Sequence, residues 1–233
     1  MCRRARDSVA RSTLEDFRLL RHLFDKKVEN NSSAQSYSGP KYPRHSGAWI
    51  AMRKRLLAEQ GLRVIDAGGT SPTNINYLTN LGHSIFLADP VNDAWNIDWK
   101  RGLDADERPI WDVDGYLGQT LAFGDRMFDA VLLWTALDYL PEPLVAPVVD
   151  KLYAAMNPGG QVLAFFHTRD KGEETTYCRF HLTETDDVEM QVAQPFPIQR
   201  ASTNRSIQRL FERWSGFKQF LAKDSISEVI ITR

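Results

Sequence analysis

The residues best placed to do chemistry lie in a turn that follows a short apolar run. Residues 64–74 read VIDAGGTSPTN, which predicts a strand, a tight turn and the start of a helix. Gly68 and Gly69 lack a Cβ, so the backbone can adopt positive φ there and approach a ligand closely. Ser71 is a good N-cap and Pro72 a good first helical residue. The free N–H groups of such a helix start suit a carboxylate or a phosphate.

A second acidic residue, Asp89, stands 23 positions after Asp66 and directly follows another apolar run, residues 84–88. In a doubly wound sheet the ligand crevice lies at the carboxyl ends of the strands, so we expect both acids at one edge. A carboxylate there can accept two hydrogen bonds from a ribose diol. Each feature alone has a plainer interpretation: a tight strand-to-helix connection, and an Asp-Pro turn. Together they predict a nucleoside site.

Three further polar side chains stand where a substrate could meet such a site. Asp138 and Tyr139 follow the apolar run 128–134, and His167 ends the apolar run 161–167. His167 could act as a general base, or it could be a hydrogen-bonded structural histidine. Asp138 and Tyr139 carry the same ambiguity. The three are candidate substrate contacts, and no residue is assigned as catalytic.

Several other kinds of site are missing from the sequence. It contains no G-x-G-x-x-G dehydrogenase pattern, no G-x-x-x-x-G-K-[ST] phosphate loop and no G-x-S-x-G nucleophile elbow. The histidines show no ligand spacing with cysteines or acids, so no metal site is expected. Two cysteines are too few for a disulfide framework. No apolar run reaches the roughly 18 residues that predict a membrane-spanning helix.

The elements that must position these side chains alternate between short apolar strands and helices. Strands are expected at residues 62–67, 84–88, 128–134 and 161–167. Helices between them predict a parallel sheet with right-handed crossovers. The last third is expected to hold a hairpin of residues 177–182 and 188–192, then a closing antiparallel pair of residues 217–222 and 226–232.

The ordered set of motifs resembles the class I S-adenosylmethionine-dependent methyltransferases. Residues 64–68 look like the first motif of that family, and Asp89 looks like its ribose-binding acid. Residues 128–134, with Asp138-Tyr139-Leu140 close behind, resemble the motif of the fourth strand. Residues 156–160, MNPGG, resemble the hairpin before the fifth strand. No single motif is specific, but their order and spacing match over residues 46–233, apart from an unmatched stretch near residues 169–203.

The resemblance implies an α/β fold with a doubly wound, mostly parallel seven-stranded sheet and an antiparallel C-terminal edge hairpin. It implies S-adenosylmethionine as the cofactor, with Leu121 and Ala122 beside the adenine and Trp134 at the pocket mouth. The implied cofactor-binding residues are Asp66, Gly68, Gly69, Thr70, Ser71, Asn74, Asp89, Pro90, Leu121, Ala122 and Trp134. The implied function is methyl transfer to an acceptor that the sequence does not identify.

The first motif departs from the family's usual Gly-x-Gly-x-Gly. Gly68 matches, but Thr70 and Pro72 stand at the next two glycine positions, where a Cβ narrows the approach to the cofactor. A hydroxyl of Thr70 or Ser71 could compensate by hydrogen bonding. The alternative function is therefore a non-catalytic binding module on the same fold.

Charge divides the chain unevenly, although the net charge is only −1. Residues 1–60 carry 13 basic and 6 acidic side chains, whereas residues 61–143 carry 5 basic and 13 acidic. We expect residues 1–45 to form a basic arm that could act as a lid, and residues 46–233 to form the domain, with an insertion near residues 169–203. The near-neutral charge favours a small-molecule substrate over nucleic acid. A cytoplasmic location is expected; the oligomeric state cannot be predicted.

Overall fold

A computed structural model of the protein describes residues 39–69, 71–169 and 176–233. Most of the expected basic arm, residues 1–38, and one candidate cofactor residue, Thr70, lie outside the described residues. All the described residues belong to one compact unit.

The described chain contains eleven strands and seven helices. The strands are β1 (Lys41–His45), β2 (Arg63–Asp66), β3 (Ser84–Leu87), β4 (Lys100–Leu103), β5 (Pro109–Trp111), β6 (Phe128–Trp134), β7 (Met156–His167), β8 (Cys178–His181), β9 (Asp187–Val192), β10 (Gly216–Phe220) and β11 (Ile226–Thr232). The helices are α1 (Gly47–Ala58), α2 (Pro72–Asn80), α3 (Pro90–Asn96), α4 (Val113–Thr120), α5 (Ala136–Tyr139), α6 (Glu142–Ala154) and α7 (Asn204–Leu210).

The main sheet has six strands among the described residues, in the order β10-β11-β7-β6-β2-β3. Neighbours from β7 to β3 pair in parallel, whereas β11 is antiparallel to both of its neighbours. The predicted α/β class, the parallel core and the closing antiparallel pair are confirmed. The seven-stranded count is not: between β3 and β6 the chain forms α3, a small β4–β5 hairpin and α4, and adds no seventh strand to this sheet.

A second sheet joins two segments that are far apart in sequence. Its order is β1-β9-β8, with antiparallel pairing throughout. The predicted hairpin in the insertion is therefore present as β8 and β9. Residues 41–45, which the sequence analysis assigned to the arm, form the third strand of this sheet, and Arg44 faces Val188 across the ladder. The boundary at residue 46 stays a prediction.

Alternation along β6 divides the core into two layers. Val131 and Leu133 pack on the layer that includes α4 and α6. Leu132 and Trp134 pack on the opposite layer, with α1, α2 and the β8–β9 hairpin. This period of two is what a central strand imposes on its side chains. Trp134, at the carboxyl end of β6, therefore projects toward the hairpin.

Candidate functional site

The glycine turn after β2 forms as its residue types predict. Gly69 has φ +79°, a conformation that glycine adopts readily, and its N–H donates to the carbonyl of Ala88 across 3.2 Å. Ser71 is the N-cap of α2: its Oγ accepts from the N–H of Asn74 (3.2 Å), and Pro72 is the first helical residue. The turn is thereby fixed to the end of the neighbouring strand β3.

Asp89 lies against this turn, as expected from its place after β3. It caps α3 by accepting from the N–H of Asn92 (3.1 Å), and its side chain is 22% exposed. A Cβ on Gly69 would overlap Oδ2 of Asp89, so only glycine permits this approach. Burial raises the pKa of the Asp89 carboxyl to about 6, although the Asn92 N–H and the charge of Arg179 act to lower it.

Asp66 is fully buried, and protein groups satisfy its carboxylate. Oδ1 accepts from the indole N–H of Trp134 (2.9 Å) and from the N–H of Gly68 (3.2 Å), while Oδ2 accepts from the amide of Asn74 (2.7 Å). Burial raises the pKa of Asp66, and these hydrogen bonds oppose the shift. The oxygen atoms therefore face the protein's own donors.

Trp134 lies buried beside the turn, and its place at the mouth of a cofactor pocket stays a prediction. It is only 2% exposed, and its φ of +51° is unusual for a residue other than glycine. A Cβ on Gly68 would come within 2.5 Å of the indole Cδ1. Phe180 stacks on the indole at a centroid distance of 5.1 Å and an interplanar angle of 8°. Because Gly68 has no Cβ, the indole of Trp134 can pack directly against its backbone.

The β8 strand covers the same turn with polar contacts. Asn74 accepts from the N–H of Leu182 (2.7 Å) and donates to the carbonyl of Phe180 (3.0 Å). Ser71 Oγ lies 2.8 Å from Nδ1 of His181. Arg179 Nη2 lies 3.8 Å from Oδ2 of Asp89 and would be 3.0 Å from a Cβ on Gly69. Nothing in the sequence of the insertion marked it as an occupant of the crevice.

The candidate substrate residues do come together, but in a buried cluster. The backbone N–H of His167 donates to Asp138 Oδ2 (2.6 Å), and Nδ1 of its ring lies 2.8 Å from the same oxygen. The ring of Tyr139 meets that of His167 edge-on, with centroids 5.7 Å apart. Each of the three residues is at most 2% exposed. Burial raises the pKa of Asp138. These contacts tie α5 to the end of β7, which is the structural role considered for His167.

Leu121 and Ala122 follow α4 and precede β6. Leu121 is buried and Ala122 is exposed. Their place beside the adenine stays a prediction. Pro90 is close to the turn; it is buried, and its carbonyl accepts from the hydroxyl of Tyr116 (2.9 Å).

Open pockets occur elsewhere on the part of the chain that the structure describes. Five of them, with volumes of about 320 to 470 Å³, are lined mainly by α1, by the α6–α7 region or by the loop before β6. None of these five is lined by Asp66, Gly68, Gly69 or Asp89. Within the described residues, no group of three or more His, Cys, Asp or Glu side chains could hold a metal ion. No helix there is long and apolar enough to cross a membrane.

These observations test whether the crevice suits an adenosine-bearing sulfonium. The acids and the glycine turn lie together as such a ligand requires. The volume beside them is not free, because Trp134, Phe180 and Arg179 take it up. In the arrangement described, these side chains leave the cofactor no room at the glycine turn.

No protein-family model matches the sequence, and no curated protein matches it either. Several solved structures are similar in fold. The Burkholderia thailandensis 1,6-didemethyltoxoflavin-N1-methyltransferase, bound to 1,6-didemethyltoxoflavin and S-adenosylhomocysteine, is 13% identical, with 94% of this chain and 89% of that chain covered and a TM-score of 0.42. An S-adenosylmethionine-dependent methyltransferase from Mesorhizobium loti is 13% identical, with coverage of 81% and 98% and a TM-score of 0.41.

A third structure, described as a putative S-adenosylmethionine-dependent methyltransferase from Listeria monocytogenes, is 13% identical over 80% of this chain and 98% of that chain, with a TM-score of 0.41. All three descriptions name a methyltransferase, and the second and third name one that depends on S-adenosylmethionine. With TM-scores below 0.5, these likenesses do not assign a ligand or a role to any residue of this chain.

Proposed function

We propose that the protein binds S-adenosylmethionine in the crevice lined by the glycine turn and Asp89 and transfers its methyl group to a small-molecule acceptor. The observation that supports this most is the meeting of Asp89 with Gly69, so close that only a glycine fits there. Such an acid at the end of the second strand suits a ribose diol. When bound, the cofactor would supply an already activated methyl group, so the chain mainly needs to position the acceptor and exclude water.

The chain's own residues have separable parts in this proposal. Asp89 would hold the sugar, and its N-cap bond to Asn92 keeps the carboxylate oriented toward the turn. At the start of α2, the N–H of Thr73 would face the charged end of the ligand, because Pro72 has no N–H and that of Asn74 donates to Ser71 Oγ. The net charge of −1 argues against a long nucleic acid as acceptor, since proteins that bind nucleic acids are usually basic.

A second candidate function is a non-catalytic binding module on the same fold. The observation that favours it is the stacking of Phe180 on Trp134 in the space beside Gly68. Pro72, at a position where the family usually has glycine, points the same way. In such a module, the crevice would be a packed part of the core and would take no nucleoside.

Calorimetric titration with S-adenosylmethionine and with S-adenosylhomocysteine separates the two candidates. Ligand at about 100 times its dissociation constant should stabilise the fold by roughly 2.7 kcal/mol, which is visible as a rise in Tm. Asp89→Ala should weaken binding at least about tenfold, because a hydrogen bond to a charged group contributes about 1.5–3 kcal/mol.

Asp112→Ala is the matched control for that titration. Asp112 caps α4 by accepting from the N–H of Gly115 (3.2 Å), just as Asp89 caps α3, but it lies outside the crevice. Loss of the cap should lower stability in both variants, while only Asp89→Ala should lower affinity. No heat and no Tm shift with either compound would sink the cofactor proposal. Equal affinity in the two variants would sink the role of Asp89.

A further inference from the structure

Three consecutive residues of the insertion occupy the surface that a nucleoside would need. Phe180 covers Trp134 by stacking, His181 meets Ser71, and the N–H of Leu182 donates to Asn74. All three hairpin residues are buried, with exposures of 2 to 5%. The contacts are specific rather than incidental, because each hairpin residue meets a different group of the turn or of the strand beside it.

These contacts engage the polar side chains of Ser71 and Asn74 at the end of the turn. The amide of Asn74 donates one hydrogen to Asp66 and one to the carbonyl of Phe180, and its oxygen accepts from Leu182. Ser71 Oγ accepts from the N–H of Asn74 and lies within hydrogen-bond distance of His181. A ligand at this place must therefore replace bonds that already exist.

Charge completes the match between the hairpin and the crevice. Arg179 is 13% exposed at its side chain and lies 3.8 Å from the carboxylate of Asp89. Asp89, the acid proposed to bind the ribose, thus lies close to a cationic side chain of β8.

The tip of the hairpin is held separately by α1. The N–H of Ser46 donates to the carbonyl of Asp186 (3.1 Å), and the indole of Trp49 donates to the carbonyl of Thr185 (3.2 Å). Arg53 pairs with Asp186 at 2.7 Å. The strand β8 lies at the edge of its sheet, and within the described residues it pairs only with β9. The free edge of β8 can leave the turn while the tip stays attached.

We propose that β8 is an intramolecular competitor for the crevice, so that S-adenosylmethionine binds only when residues 179–182 leave the glycine turn. This inference rests on the proposed function, because it concerns access to the same site. The apparent dissociation constant is then the intrinsic one divided by the fraction of open molecules. A chain that is open about one time in a hundred would bind about a hundredfold more weakly than its intrinsic affinity.

The test uses a hairpin-release variant of the full chain, Arg179→Met with His181→Leu. It removes the ion pair to Asp89 and the contact to Ser71, but it keeps the buried Phe180 and similar side-chain volumes. Phe180→Ala is a second variant that removes the stacking on Trp134. Glu189→Gln is the control. Glu189 lies on β9 of the same hairpin, and its exposed side chain pairs with Lys41 of β1, away from the crevice.

Two measurements are made on each variant: the dissociation constant for S-adenosylhomocysteine, and the hydrogen exchange of the Leu182 amide. We expect the release variant to bind at least about tenfold more tightly than the natural chain, and Glu189→Gln to bind as the natural chain does. We also expect added S-adenosylhomocysteine to speed exchange at Leu182, because that amide loses its bond to Asn74 when β8 leaves.

The outcomes separate this inference from the proposed function. Tight binding by the natural chain, with no gain in either variant and no change in exchange at Leu182, would overturn the competitor role and leave the cofactor proposal standing. Fast exchange at Leu182 in the release variant, without binding of either compound, would overturn the cofactor proposal and support the hairpin as the crevice's occupant. Slow exchange in both variants, again without binding, would overturn both.

Discussion

The indole N–H of Trp134 donates to Oδ1 of Asp66 across 2.9 Å, although the two residues are 68 positions apart in sequence. The bond joins the carboxyl end of β6 to that of β2 inside a layer where both side chains are at most 2% exposed. A buried carboxylate needs such donors, because burial without hydrogen bonds is costly. Trp134 therefore stabilises the first acid of the crevice and fills the space beside it.

Trp134→Phe should lower the free energy of unfolding by about 1–3 kcal/mol beyond the effect of the smaller ring, because Asp66 loses a donor. Urea unfolding at pH 7 measures the change. Trp214→Phe is the control: that indole is also buried, but its Nε1 has no hydrogen-bond partner among the described residues. Equal losses in the two variants would show that the bond to Asp66 contributes nothing.

Local patterns were enough to predict the scaffold of the site. Glycine at 69, serine at 71 and proline at 72 specify the turn and the first turn of α2 through backbone conformation and capping, which act over a few residues. Asp89 could be placed because parallel strands bring their carboxyl ends to one edge. These predictions depend on short-range chemistry and on a general property of sheets.

The occupant of the crevice could not be predicted in the same way. Phe180 meets Trp134 only because β9 pairs with β1, which sets the position of β8. That pairing joins segments more than 140 positions apart, and no pattern in either one specifies its partner.

Asp89→Asn should stabilise the protein at pH 7.5 and leave its stability nearly unchanged at pH 4. Burial raises the pKa of this carboxyl from 3.8 to about 6, so between these values the folded state binds more protons than the unfolded state. Stability contributed by Asp89 is therefore present at low pH and is lost as the pH rises through this window. Asparagine keeps the N-cap and carries no charge.

The gain at pH 7.5 should be about 1–3 kcal/mol, from about 1.4 kcal/mol per pKa unit with allowance for the partly exposed side chain. Denaturant unfolding of both proteins at several pH values gives the difference directly, and shifts from other groups cancel in it. A difference that stays constant from pH 4 to pH 7.5 would contradict the raised pKa of Asp89.

Glu228→Gln should destabilise the fold by about 3–5 kcal/mol, because it breaks a buried charge network. Glu228 is 1% exposed and accepts from Arg44, from the hydroxyl of Ser46 (2.9 Å) and from the N–H of Ala48 (2.9 Å). The network attaches β1 and the start of α1 to β11. Thermal unfolding measures the loss.

The matched control for this prediction is Glu189→Gln. Glu189 pairs with Lys41 at 3.0 Å, but both side chains are more than one-third exposed. Exposed pairs contribute about 0–1 kcal/mol, so this variant should unfold almost as the natural chain does. Similar losses in the two variants would mean that β1 is not an integral part of the domain.

The contact between His181 and Ser71 should weaken in acid. Nε2 of His181 lies 3.0 Å from Oε1, the side-chain amide oxygen of Gln191. The neutral ring therefore donates from Nε2 to Gln191, and its Nδ1 accepts from the hydroxyl of Ser71. Burial lowers the pKa of His181 below its usual 6.5; the charges of Lys41 and Arg179 lower it further, while the bond to Gln191 and the charge of Glu189 oppose the shift. Protonation of the ring would make Nδ1 a donor, so it could no longer accept the hydrogen bond from the hydroxyl of Ser71.

The sign of the effect follows from proton binding. Below pH 6.5 the unfolded state takes up a proton that the folded state resists, so the free energy of unfolding falls as the pH drops from 6.5 through the folded-state pKa of His181. His181→Leu has no such proton, so its stability should fall less over that range than the natural chain's. Denaturant unfolding between pH 7.5 and 5 measures both slopes, and an NMR titration of the ring gives the pKa. A measured pKa of His181 at or above 6.5, or equal slopes of stability against pH in the two proteins, would mean that acid does not weaken the contact between His181 and Ser71.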